Sequence, residues 1–75
     1  MNFKFKRHQK VRILLPPNQE YVEYYTDPPI KITKGMGGKV NLILPNGQYH
    51  VEIEDKDGNV IAYAPFYEEA LEDAE

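Results

Sequence analysis

The chain has no cysteine and no tryptophan, and serine is missing from it altogether. Without cysteine no disulfide can staple the fold, thiolate zinc sites are excluded, and a reducing compartment is compatible. Without serine there is no serine nucleophile. Long apolar runs are lacking as well. No segment approaches the ~20 apolar residues that a membrane-crossing helix needs. The basic start "MNFKFKRHQKVRILLPP" is not followed by an apolar run of signal-peptide length. A cytoplasmic protein with no membrane association is expected.

What is present describes one small globular unit. The 75 residues are 41% hydrophobic and 28% charged, a globular composition. They have room for a single domain over residues 1–75, with a stability on the order of 3–5 kcal/mol. Charge is unevenly spread. Lys4, Lys6, Arg7, Lys10 and Arg12 lie within the first twelve positions, and Glu68, Glu69, Glu72, Asp73 and Glu75 within the last eight. The basic segment 1–9 and the acidic segment 66–75 read as solvated ends that attract each other in the fold.

Period-two alternation dominates the remainder. In "KVRILL", Val11, Ile13 and Leu15 share one face, the mark of a half-buried strand, and Pro16-Pro17 stops it. Phe3 and Phe5 alternate with lysines and either join the sheet or lay two rings on the edge of the core. Val40, Leu42 and Leu44 form one face of a second strand. Pro45-Asn46-Gly47 turns the chain, and Asn-Gly is the strongest short hairpin signal. Tyr49, Val51 and Ile53 point inward on the partner strand, with His50, Glu52 and Glu54 outward. "DKDG" turns the chain again, and "NVIAYA" adds a strand that Pro65 ends. "FYEEALEDAE" is a short terminal helix or helical turn anchored by Phe66 and Leu71. The expected core is Val11, Ile13, Val40, Leu42, Tyr49, Val51, Ile53 and Ile61.

Between the first two of these strands runs "NQEYVEYYTDPPIKIT". A segment this long without regular structure is uncommon in a compact domain. Its tyrosines and isoleucines carry too much apolar mass for disorder. It reads as a folded-back excursion, a loose hairpin with its tip near Asp27-Pro28-Pro29. "KGMGG" lacks the P-loop spacing and precedes a strand rather than a helix, so it reads as a bulge or barrel corner. "DKDGN" resembles the start of a calcium loop, but its glycine comes too early and no glutamate stands at the twelfth position. It reads as a β-turn.

About five short antiparallel strands cannot make a two-layer sandwich in so small a chain. Closing a twisted sheet into a small barrel resolves both burial and edges. The text "KVRIL", a long loop, "KGMGGKV", two hairpins and a final "YEEALE" resembles an SH3-like barrel. It looks most like the small bacterial group that includes the photosystem I stromal accessory subunit, the nitrile hydratase β-subunit barrel and the nitrogen-fixation Z protein. The likeness spans Lys6 to Leu71 and departs at His8-Gln9, where a glycine often stands. It implies an all-β SH3-like barrel with a long first loop and a short C-terminal helical turn. It carries over no catalytic or metal-binding residue.

Function is expected to be binding rather than catalysis. His8 sits in a basic tail and His50 faces outward without a recognisable partner, so neither has the setting of a general base. No catalytic, metal or cofactor site is expected. The leading expectation is a docking or accessory module of a larger complex. Its partner-binding residues would be Tyr21, Tyr24, Tyr25, Glu20, Glu23 and Asp27, since long loops on rigid scaffolds carry recognition. Two of these tyrosines could instead plug the barrel end. The alternative is nucleic-acid binding by Lys4, Lys6, Arg7, Lys10 and Arg12, where bases interleave with aromatics. The overall charge of −3 and the acidic loop argue against it.

Overall fold

A computed structural model describes residues 3–75. Six strands form one antiparallel sheet: β1 (Lys10–Ile13), β2 (Glu23–Tyr24), β3 (Gly37–Ile43), β4 (Tyr49–Glu54), β5 (Val60–Phe66) and β6 (Leu71–Asp73). Their order across the sheet is β2-β5-β4-β3-β1-β6. The count exceeds the expected five, and the ladder stays open, with β2 and β6 at its ends. The extra strands lie where the sequence suggested a loop and a helix. β2 is a two-residue piece of the long excursion, preceded by a 3-10 turn at Gln19–Tyr21. The acidic tail makes a 3-10 turn at Glu68–Ala70 and then extends as β6.

Charge explains why the tail runs as a strand. β6 lies antiparallel to basic β1, with Arg12 opposite Glu72. Their side chains form an ion pair at 3.6 Å, and the backbone N–H of Ala74 donates to the Lys10 carbonyl at 3.0 Å. An exposed pair of this kind contributes at most about 1 kcal/mol. Its value here is in choosing a partner, while Leu71, buried beside Ile13, supplies the apolar anchor.

The inner face carries Val11 and Ile13 from β1, Val40 from β3, Tyr49, Val51 and Ile53 from β4, and Ala62, Ala64 and Phe66 from β5. Middle and end strands contribute to one core cluster. Phe5 closes it from the N-terminal side, 1% exposed. Its ring meets Tyr49 edge-on at 5.3 Å, and the Lys4 and Phe5 amides donate to the Tyr49 hydroxyl at 3.0 and 3.3 Å. Phe3 remains exposed.

Two irregularities overturn details of the alternation. The β3–β4 register shifts between Val40 and Leu42, so the extra residue turns Leu42 out to 43% exposure while Ile43 packs on the core. Leu42 is therefore not a core residue. A second shift between Ile53 and Glu54 lets neighbouring Ile61 and Ala62 both be buried, which strict alternation forbids. Pro65 does not end β5; it pairs with His50 inside the strand. Tyr25 donates to the Ile61 carbonyl on the β2 side. Alternation points Pro65 the same way, past the end of β2, where no ladder bond is lost.

Gly47 closes the Pro45-Asn46-Gly47 turn at φ +88, the left-handed position that a three-residue hairpin loop fills with glycine. Gly38 is constrained differently. A Cβ there would collide with the Glu52 carbonyl oxygen and press on the Val51 side chain.

Two stability predictions follow from these positions. Val51→Ala should cost about 2–4 kcal/mol by urea denaturation, and Leu42→Ala under about 1 kcal/mol, because only the first opens a cavity. Equal losses would mean that the bulge is misplaced. Gly38→Ala should destabilise the fold by more than Leu42→Ala although it adds a single methyl, since backbone has to give way. A wild-type melting curve for Gly38→Ala would contradict the close approach of β3 to β4.

Candidate functional site

The long excursion divides its residues between two neighbouring surfaces. Asn18 caps the first 3-10 turn, its Oδ1 accepting from the Glu20 amide at 3.0 Å. This turn swings Tyr21 outward to 66% exposure. The following residues extend along β5, with Glu23 opposite Tyr63 and Tyr24 opposite Ala62. Tyr24 packs against the core, while Tyr25 is exposed on the opposite face. Of the three loop tyrosines, then, one packs inward and two face solvent. Glu20 and Asp27 are also exposed. Asp27 has no side-chain hydrogen bond or ion pair among the described residues.

The first surface is a groove of about 280 Å³. Leu15 and Pro17, just after β1, form one wall with Tyr21. Tyr67, Pro65, Gln48 and Glu69 line the groove as well. Leu15, Tyr21 and Tyr67 are three of the large apolar side chains that the fold leaves exposed, and here they converge.

The second surface is the outer face of β2, β5 and β4. Tyr63 is flanked by its cross-strand partners Glu23 and Glu52. Its hydroxyl donates to Glu52 Oε2 at 3.2 Å, and the Tyr25 hydroxyl donates to Glu23 Oε1 at 3.3 Å. The Tyr25 ring meets Tyr63 edge-on at 5.0 Å, and His50 stacks on Tyr63 at 5.3 Å with the planes 9° apart. Asn41 Nδ2 lies within hydrogen-bonding distance of His50 Nδ1, at 3.0 Å. His50, expected to stand alone, is thus tied to two neighbours. Desolvation, then the negative charge and hydrogen bond of Glu52, push the Tyr63 hydroxyl above its ordinary pKa.

Of the five basic residues expected to bind nucleic acid, Arg12 alone has an ion-pair partner among the described residues. Arg12 pairs with Glu72, and Arg7 Nε donates to the Asn41 carbonyl at 3.2 Å. The Lys10 amide donates to a Glu75 carboxylate oxygen at 3.5 Å, while Lys4 and Lys6 stay exposed. Among the described residues no three His, Asp or Glu side chains gather as metal ligands. No described helix is long and apolar enough to cross a membrane.

Leu15, Pro17, Tyr67, Tyr63 and Glu52 were not among the binding residues that the sequence suggested, although Glu52 was placed facing outward. One signal was available: Tyr63, Pro65 and Tyr67 recur every second residue and so share a strand face. Comparison with protein-family models, curated proteins and solved structures finds no match to this chain.

The Tyr63 environment predicts an alkaline titration. A raised folded pKa favours the neutral phenol, so its contribution to stability holds below about pH 10 and fades as the pH rises through the folded value. Glu52→Gln removes an anion that opposes phenolate formation, so the Tyr63 transition, followed by its ring resonances in an NMR titration, should move to lower pH. No movement would mean that Glu52 does not act on Tyr63.

Proposed function

We propose that the protein is a non-catalytic docking module, a small SH3-like barrel serving a larger protein or complex as an accessory subunit. The convergence of exposed Leu15, Tyr21 and Tyr67 on one groove carries this reading. Aromatic anchors in a concave apolar site are the usual energetic centres of protein interfaces. The barrel is supported by the shared core. With no helix of more than a single 3-10 turn among the described residues to cover it, one sheet buries the inner side chains of middle and end strands together only by curling over itself. Of the six loop residues expected to bind, Tyr21 lies in the groove, with Glu20 beside it. Glu23 and Tyr25 flank it on the sheet face.

Docking is favoured over nucleic-acid binding because acidic β6 runs beside basic β1 and pairs with Arg12. A photo-crosslinking residue at position 21 should capture a protein partner in the host cell. Calorimetry with that partner should then show Tyr21→Ala and Tyr67→Ala each weakening affinity by roughly thirty-fold, the scale of an aromatic hot spot. Both side chains are exposed, so the melting curve should stay near wild type. If instead only Lys4→Glu, Lys6→Glu and Arg7→Glu abolish capture, or the captured material is RNA, the docking reading fails.

A further inference from the structure

The groove and the outer sheet face are physically continuous. Pro65 lines the groove and is paired with His50, and His50 stacks on Tyr63. Tyr63, Pro65 and Tyr67 stand at alternate positions along β5 and its extended continuation, for Tyr67 has φ −77 and ψ 158. Four residues at ~3.3 Å each make this stripe about 13 Å long, with side chains repeating every ~6–7 Å. That repeat equals the spacing of same-side residues in an extended peptide.

The charge along the stripe has one sign. Glu69 stands at the groove, and Glu23 and Glu52 flank Tyr63. The ion pairs among the described residues are Arg12–Glu72 and Lys39–Glu54, so none of these three acids is neutralised by a cation. Lys39, opposite Glu52 in the ladder, directs its ammonium to Glu54 instead, at 4.0 Å. The hydroxyls of Tyr25 and Tyr63 orient one oxygen each of Glu23 and Glu52, leaving the other oxygens free to accept. Aromatic faces beside oriented carboxylates attract a guanidinium by stacking and by charge together.

We infer that the docking partner is an extended, basic segment of a protein laid along β5. One apolar side chain enters the groove beside Tyr21 and Tyr67, and an arginine reaches the carboxylates of Glu23 and Glu52 alongside the exposed ring of Tyr25. This rests on the docking reading and adds the chemistry of the partner. Arginine suits the site better than lysine because its planar group can stack and donate to carboxylates at once.

The probe is an octapeptide of alternating arginine and leucine, blocked at both ends, titrated to millimolar concentration into the isotopically labelled protein. Controls replace every arginine by glutamate or by lysine. Amide shifts should change around Tyr21, Tyr63, Phe66 and Tyr67, and the arginine peptide should bind more tightly than the lysine one. Glu23→Gln with Glu52→Gln should weaken it about five-fold or more at low salt, an effect that fades as salt is added. No shift at millimolar peptide, equal binding of the glutamate peptide, or shifts confined to residues 4–12 would overturn the inference. Should position 21 still crosslink a protein in that event, docking stands and only the partner's chemistry falls. Should crosslinking fail as well, both fall.

Discussion

The close approach of β3 to β4 at Gly38 is the constraint on which the rest of the sheet hangs. Gly37 and Gly38 pair on one side with Arg12 and Val11 of β1 and on the other with Glu54 and Ile53 of β4. They are where the two halves of the sheet meet. A side chain at position 38 would push Glu52 and Val51 away, and Val51 and Ile53 are among the fully buried core residues. The same movement would displace the outer face of β4, where Glu52 meets Tyr63. One missing methyl thus links the packing of the core to the geometry of the exposed stripe.

The two faces of β5 divide the work. Ala62, Ala64 and Phe66 point inward, and the two alanines leave room for the larger residues of β4 and β1 that fill the small core. Tyr63, Pro65 and Tyr67 carry the large side chains outward. Around Tyr63 the strand places its small residues, Ala62 and Ala64, inside and its large one outside, which departs from the usual economy of a core. That inversion is the strongest local reason to read its outer face as a contact surface.

Much of this was legible in residue order. The strict alternation of Tyr49 to Glu54 and of Lys10 to Ile13 located β4 and β1 and their buried faces. Asn46-Gly47 located the hairpin. Leu42 was misplaced because a bulge adds one residue without a compositional mark, reversing every face beyond it. The tail 66–75 read as helical because Glu, Ala and Leu favour helix locally, whereas its strand is imposed by a distant partner, β1. Within the excursion a single 3-10 turn exposes Tyr21, and pairing of the next residues with β5 sends Tyr24 inward and Tyr25 outward, neither of which spacing alone reveals. The groove was out of reach for a simpler reason: its walls, Leu15 and Tyr67, are joined only by the fold.

The two ends of the ladder also bear on how the protein behaves when crowded. An unpaired strand is a template on which another copy can add, and long, flat, uncharged edges are the dangerous ones. Here one end stops after Glu23–Tyr24 and the other after Leu71–Asp73. At the second, two copies meeting edge to edge would set Glu72 and Asp73 against the same acids of the neighbour. Fibrous growth by edge addition is therefore blocked by length at one end and by charge at the other.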